Sequence, residues 1–368
     1  MIFLAAFSAL GAAKRWGYAA GVLAAYISYI ALSLSFPLGL ASVALFLALG
    51  RGIKLDRYAL LALGLASFKF LLLPFLLGRP LPYYEALWYA SRQLPVWQTY
   101  APLTYLPREP PLELAFDGTF FVVWTAALAG RALAEELGPA SLYWPLLATE
   151  PVYFGQFYMS APLVWTTIYY ARRKKAAMAL ASAALALGFH VYGGLLAGLS
   201  MALWGQVWVL LLAPLAFLTP EASVLYSYAA RIPGFNPASA LSLFHYANPA
   251  WGIKVAVEGL YLLVVALLSG RMAAIPALGL LGAFLTARSP TEFGGLLYRH
   301  FFVVYPFAAA NMGSRPLYVA AALASALFAV EVSLFGLSWG WAAAYARAFS
   351  SGVPIKGPVE EAYAALYG

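Results

Sequence analysis

The residues best suited to chemistry are carboxylates and cations set among aromatics, and many of them fall between Arg79 and Asp117. This stretch carries Glu85, Arg92, Arg108, Glu109, Glu113 and Asp117, together with repeated prolines and the rings Tyr83, Tyr84, Trp88, Tyr89, Trp97, Tyr100 and Tyr105. A carboxylate held near a hydroxyl can take its proton while a new bond forms to the oxygen, so Glu85 is the first candidate general base. Asp117 is the second, although an aspartate before Gly118-Thr119 also suits the cap of a following helix. Arginine pairs with phosphate through two parallel hydrogen bonds, so Arg299 with its neighbour His300, then Arg288 and Arg231, are candidate phosphate ligands. Other chemistries find little footing. There is no cysteine, hence no disulfide or thiolate. His190, His245 and His300 lie far apart in sequence and form no metal-ligand spacing. No glycine-rich phosphate loop is present.

The elements that must position these groups are set by composition. Of 368 residues, 64% are hydrophobic and 10% are charged. A soluble domain carries about 25% charge. The apolar runs are continuous rather than alternating, which predicts helices and not a barrel. The expectation is an all-α, polytopic helical membrane protein, a single transmembrane domain over 1–368 with about 10–12 hydrophobic segments. The net charge of +8 is read as a determinant of orientation, and no nucleic-acid partner is expected.

Along the chain, Met1–Ala13 is too short for an ordinary span, and Trp16–Gly50 reads as a hairpin broken near Pro37. Arg51, Lys54 and Arg57 make a basic turn, with Asp56 expected to be solvated among them. Tyr58–Gly78 is a span with Lys69 inside it. Gly118–Ala134 is the next, and Ser141–Ala171 is broken at Glu150-Pro151 and Gly155-Gln156, as two short spans or a re-entrant pair. Ile253–Gly270, Met272–Ala287, Phe301–Gly313 and Pro316–Trp341 follow. Placing the Arg51–Arg57 and Arg172–Lys175 clusters, Arg271 and Arg315 on the inner side puts the loops 79–117, 219–251 and 288–300 together on the outer face. Parity then requires Ala176–Leu218 to cross once with a re-entrant piece, or three times. Within the first outer loop, Tyr83–Arg92 is expected to form a helix along the membrane surface, with its rings in the interface.

Three segments carry a resemblance. Tyr83-Tyr84-Glu85 through Tyr89, followed by Pro95-Val-Trp-Gln-Thr-Tyr100-Ala-Pro102-Leu-Thr-Tyr105, resembles the first outer loop of the C-type (GT-C) glycosyltransferases. Phe154-Gly155-Gln156 through Arg172-Arg173 and on to His190 is similar to a second run of that family, and Leu297-Tyr298-Arg299-His300 through Tyr305-Pro306 to a third. These pieces cover a minority of the chain. Glu85 stands where the family usually has an aspartate, and His190 where many members have lysine. The resemblance implies a GT-C-like fold in the plasma membrane with its active face extracytoplasmic. It implies transfer of a sugar from a polyprenyl-phosphate donor to a lipid or protein acceptor. Glu85 or Asp117 would act as base, Arg299, His300, Arg288 and Arg231 would hold the donor phosphate, and Tyr84, Tyr100, Tyr105 and Gln156 would line the acceptor side. It leaves room for a divalent metal, Mg or Mn. Two other readings remain open: a catalytically inactive GT-C-like subunit or lipid-binding partner, and a transporter, whose mark would be mid-span charges such as Lys69, Glu258 and Glu331.

Overall fold

A computed structural model describes residues 2–79, 111–150, 156–218, 226, 229–234, 249–286, 290–335 and 343–344. Every regular element among them is helical. In chain order these are α1 (Ala5–Trp16), α2 (Tyr18–Leu34), α3 (Phe36–Gly50), α4 (Arg57–Ser67), α5 (Leu73–Leu76), α6 (Pro111–Leu137), α7 (Trp144–Leu147), α8 (Gln156–Arg172), α9 (Ala176–Phe189), α10 (Val191–Leu203), α11 (Pro249–Leu268), α12 (Ala274–Thr286), α13 (Pro290–Asn311) and α14 (Ser314–Phe335). Short 3-10 segments include Pro139–Tyr143 before α7 and Val207–Leu218 after α10. Two stretches, Arg57–Leu76 and Ser314–Ser333, are long and apolar enough to cross a membrane.

The first three helices form a tight unit joined by small residues. The expected hairpin is present, broken at Ser35, which caps α3 by accepting the Leu38 amide on its hydroxyl and stands two residues before Pro37 in the first turn of that helix. The short leading segment is α1, which packs against both α2 and α3 while these also pack on each other. Gly11 and Gly50 bring α1 and α3 into backbone contact: a Cβ on Gly50 would lie 2.0 Å from the Gly11 carbonyl oxygen. Hydroxyls run across the same three helices, the buried Ser8 to the buried Ser28 at 2.7 Å and Ser28 to the half-buried Ser42 at 2.8 Å. Small residues that admit close backbones, with hydroxyls bonded across the gap, are a stable way to join apolar helices.

Two helix starts lie earlier than hydropathy suggests. Helix α6 begins at Pro111, so Asp117 sits inside its second turn and is not a cap. The loop expected over 79–117 therefore ends by residue 110. Helix α13 begins at Pro290, so most of the polar connection expected over 288–300 is helical. Both starts place proline at the first helical position, where the missing N–H costs nothing. The surface helix expected over Tyr83–Arg92 lies outside the described residues.

The cationic turns gather at one end of the bundle. Lys14 Nζ donates to the Arg51 carbonyl at 2.7 Å. Arg173 bonds Glu135 and Glu136. The guanidinium groups of Arg172 and Arg271 both lie over the Trp204 ring, at 4.2 and 4.4 Å. Asn311 donates to the Leu268 carbonyl, which brings the turn before Arg315 to the same end. Helix α9 leaves the basic end, the chain turns at His190 and α10 returns to Trp204, after which Val207–Leu218 packs against α10.

The centre is an aromatic core. Trp144 stacks on Phe70 and meets Trp165 and Phe302 edge-on. Trp165 stacks on Phe302 and donates its indole N–H to the Val303 carbonyl at 3.0 Å. This core binds α7, α8 and α13 to the wide turn Phe68–Leu72 between α4 and α5. Pro74 explains that turn: in a regular helix its ring would clash with the Phe70 carbonyl, and a five-residue turn removes the clash.

Candidate functional site

Two groups of polar side chains stand out away from the basic end. The first surrounds Arg299. This residue lies two turns into α13 beyond its polar start, and its guanidinium sits over Phe157 at 6.0 Å and Tyr192 at 5.7 Å. Both rings are held by the α9–α10 reversal. His190 ends α9 in an extended conformation and caps α10, its Nδ1 accepting the Tyr192 amide at 3.1 Å. The His190 ring then stacks on Tyr192 and meets Phe157 edge-on. A cation over aromatic faces keeps its five N–H donors at the edge of the plane, open to an oxyanion. Arg299 is only half-buried.

The other expected site residues are distributed as follows. His300, next to Arg299, points elsewhere: successive residues on a helix are turned by about 100°, and its ring packs on Gly279 of α12, where a Cβ would lie 2.2 Å from Cγ. Arg231 Nη1 donates to the Thr286 carbonyl at 3.1 Å, at the end of α12. Gln156 opens α8, one residue before Phe157. Asp117 is half-buried within α6. Glu85, Tyr84, Tyr100, Tyr105 and Arg288 lie outside the described residues. Thus Arg299 and the Gln156–Phe157 start of α8 come together with His190, whereas His300 and Arg231 attach to α12.

The second group is fully enclosed. Glu150, 1% exposed, follows the break after α7. Its Oε2 accepts the Tyr305 hydroxyl at 2.9 Å and the Thr149 hydroxyl at 3.3 Å. Its Oε1 has no hydrogen-bond partner. Lys69, also 1% exposed, donates to Ser325 Oγ at 3.2 Å and lies 4.6 Å above the Phe328 ring. Tyr261 of α11 donates to the Leu147 carbonyl at 2.6 Å, one turn along from the buried Glu258. Lys69 and Glu258 stand out in the sequence as charges inside apolar runs. Glu150 does not, because it reads as the polar edge of a helix break. The adjoining Thr149-Glu150-Pro151 is the signal that could have marked it.

A third constellation lies at the basic end and is structural. Asp56 is not a free solvated carboxylate. It caps α4 by accepting the Ala59 amide at 2.8 Å, and Arg131 clamps it with contacts of 2.7 to 3.2 Å. The two side chains are 31% and 12% exposed, respectively. Burial alone would raise the Asp56 carboxyl, but the Arg131 and Ala59 hydrogen bonds outweigh it and hold the group below its ordinary value. A lowered carboxyl contributes stability above its unfolded pKa, and that contribution fades as pH falls through the folded value. Thermal unfolding should therefore come at lower temperature below about pH 4. Asp56→Asn should flatten part of that slope and cost about 1.5 kcal/mol at neutral pH, the low end for a charged hydrogen bond because the pair is partly wet. Equal pH profiles for the two proteins would remove Arg131–Asp56 as a contributor.

Among the described residues no group of three or more His, Asp or Glu side chains gathers as a metal would require, so no residue is assigned to a metal. Compared with known proteins, the chain matches no family model, no curated protein and no solved structure.

Proposed function

We propose that this chain is a polytopic helical membrane protein of GT-C type that moves a sugar from a polyprenyl-phosphate donor to an extracytoplasmic lipid or protein acceptor. A bilayer setting is supported by the outer surface of the bundle, where large apolar side chains stand exposed on α11, α12 and α14, among them Leu260, Leu267, Leu281, Tyr318 and Val319. The observation that carries the enzymatic reading is the convergence at Arg299. Two of the three runs of the resemblance, the one from near Gln156 to His190 and the one containing Arg299, meet in space although far apart in sequence. They meet toward the end of the bundle away from the basic turns. With those turns cytoplasmic, that end is the outer one.

In this reading the Arg299 guanidinium holds the donor phosphate and stabilises charge on the departing oxygen. Phe157 and Tyr192 keep the guanidinium in place. Glu85 takes the proton of the acceptor hydroxyl as the glycosidic bond forms, and the lipid phosphate leaves with the electron pair of the broken bond. The test is transfer from a labelled polyprenyl-phosphate sugar by the purified full chain. Arg299→Ala should weaken donor binding by one to two orders of magnitude, as expected for a charged hydrogen bond of about 1.5–3 kcal/mol. Glu85→Gln should abolish transfer and leave donor binding intact. Wild-type turnover in Glu85→Gln would pass the role of base to Asp117. Donor binding without transfer by the wild type would make the chain a non-catalytic partner, and neither activity would overturn the reading.

A transporter is the second reading, and the buried Glu150, Lys69 and Glu258 favour it. Intramembrane ionisable groups facing one another mark ion pathways in such proteins. Uptake of substrate into sealed vesicles, in the absence of transfer, would select it.

A further inference from the structure

The Arg299 site leaves the enclosed group around Glu150 without a role. Its geometry is specific. Glu150 Oε2 receives two hydroxyl donors, while Oε1, equally enclosed, receives none. A buried acceptor without a partner is costly, and an ionised one more so. Lys69 lies within electrostatic reach of Glu150, yet no direct ion pair joins them, and the ammonium spends one hydrogen bond on Ser325 and rests on Phe328. Both partners of this acid–base pair are therefore incompletely satisfied where neither can turn to water. The groups facing Glu150 come from every side: Thr149 beside it, Lys69 from the wide turn, Glu258 and Tyr261 from α11, and Tyr305 from α13. A fixed metal cation at Oε1 would meet the charge of Lys69. A proton instead cancels one buried charge, and a neutral carboxyl oxygen is far less costly to leave enclosed than an ionised one.

We propose that Glu150 is an exchangeable proton-binding site inside the helix bundle, taking up one proton on Oε1 and releasing it again, with Lys69 and Glu258 as the opposed charges that set how tightly the proton is held. In uptake, a proton from solution forms the O–H bond of a carboxylic acid, and nothing is oxidised or reduced. In release, the carboxylate returns and is held by Tyr305, Thr149 and the field of Lys69. The wide turn that carries Lys69 fits this role, since five-residue turns within helices are frequent at functional sites.

The test is infrared titration of the full chain reconstituted in lipid, following the C=O stretch of a protonated carboxylic acid. The wild type should show one such band that titrates between about pH 4 and pH 10. Glu150→Gln should lose it and Glu258→Gln should keep it. Lys69→Met should raise its midpoint by about one pH unit or more, because the opposing charge that favours the carboxylate is gone. Tyr305→Phe should move the band to higher frequency by removing a hydrogen bond. That shift assigns the band to Glu150 even if Glu150→Gln is not recovered folded. Absence of any titrating acid band in the wild type overturns the proposal, as does its survival in Glu150→Gln. Loss of the band on adding sodium at constant pH also overturns it and makes the site one for a monovalent metal ion.

Discussion

Trp144→Ala is expected to destabilise the protein by about 3–5 kcal/mol, the range for removing a fully enclosed aromatic side chain. The Trp144 ring is completely buried and is shared by four elements: Phe70 lies on its face, Trp165 and Phe302 stand against it, and Gly130 of α6 lies so close that a Cβ there would sit 2.7 Å from Nε1. Those neighbours also pack on one another, so they cannot close over the space. Nothing from outside the bundle can enter it either, since the ring has no exposed edge. In the bilayer setting proposed above, the loss is one of contact rather than of transfer from water, because helices in an apolar medium are held largely by packing. Trp144 makes no hydrogen bond through Nε1, so its removal strands no acceptor. Trp144→Phe should therefore recover a large share of the stability. Thermal midpoints of the purified protein in one detergent give the comparison. Alanine and phenylalanine variants that unfold together would show that the stacked rings do not hold α7 in place.

Gly50→Val should be nearly as severe, through the opposite defect. The obstacle is the main chain of α1: a Cβ would lie 2.0 Å from the Gly11 oxygen and 2.7 Å from its carbonyl carbon. A side chain could swing aside, but a helical carbonyl cannot, so α1 and α3 must separate. Overpacking costs about 1–3 kcal/mol or more, and the rigid obstacle places this case at or beyond the upper end. Separation would also stretch the line of bonds from Ser8 through Ser28 to Ser42. Gly64 supplies the control. It is also helical, yet a Cβ there meets nothing within 4 Å. Gly64→Ala should be neutral or stabilising by up to about 1 kcal/mol, through helix propensity. If Gly50→Ala and Gly64→Ala shift the melting temperature equally, the close crossing of α1 and α3 is not a source of stability.

Helix and cationic turn were legible in the sequence because each is a local property. A run of apolar residues names itself, and so does a cluster such as Arg172-Arg173-Lys174-Lys175. Helix starts at Pro111 and Pro290 were less legible, since hydropathy marks where a helix meets apolar surroundings, whereas backbone bonding begins where the chain allows. The spelling was nonetheless present: Ser289-Pro290-Thr291-Glu292 has the form of a capping box with proline at the first position. Pairings between distant positions were not legible at all. Asp56 meets Arg131 across 75 positions, and Glu150 meets Tyr305 across 155. Nothing in the residues around Asp56 reveals a clamp, and nothing beside Glu150 reveals that a tyrosine will cover one oxygen and leave the other bare. Arg299 was legible as a candidate, but its aromatic frame depends on the chain reversing at His190.

That reversal bears on the thickness of the bilayer around the protein. Helices α9 and α10 have 14 and 13 residues, so they stand only about 20 Å tall. The hydrocarbon layer is about 30 Å thick. In the bilayer setting proposed above, this pair stops about 10 Å short of the outer boundary when its other end is anchored at Trp204 among the arginines. Helix α9 presents an exposed face, with Ala177, Met178, Ala181 and Ala184 outward, so surrounding lipid must follow its height. The outer leaflet is then drawn down beside His190, and head groups sink toward the depth of Arg299. A charged group on a lipid tail could reach that arginine while its chains stay in hydrocarbon.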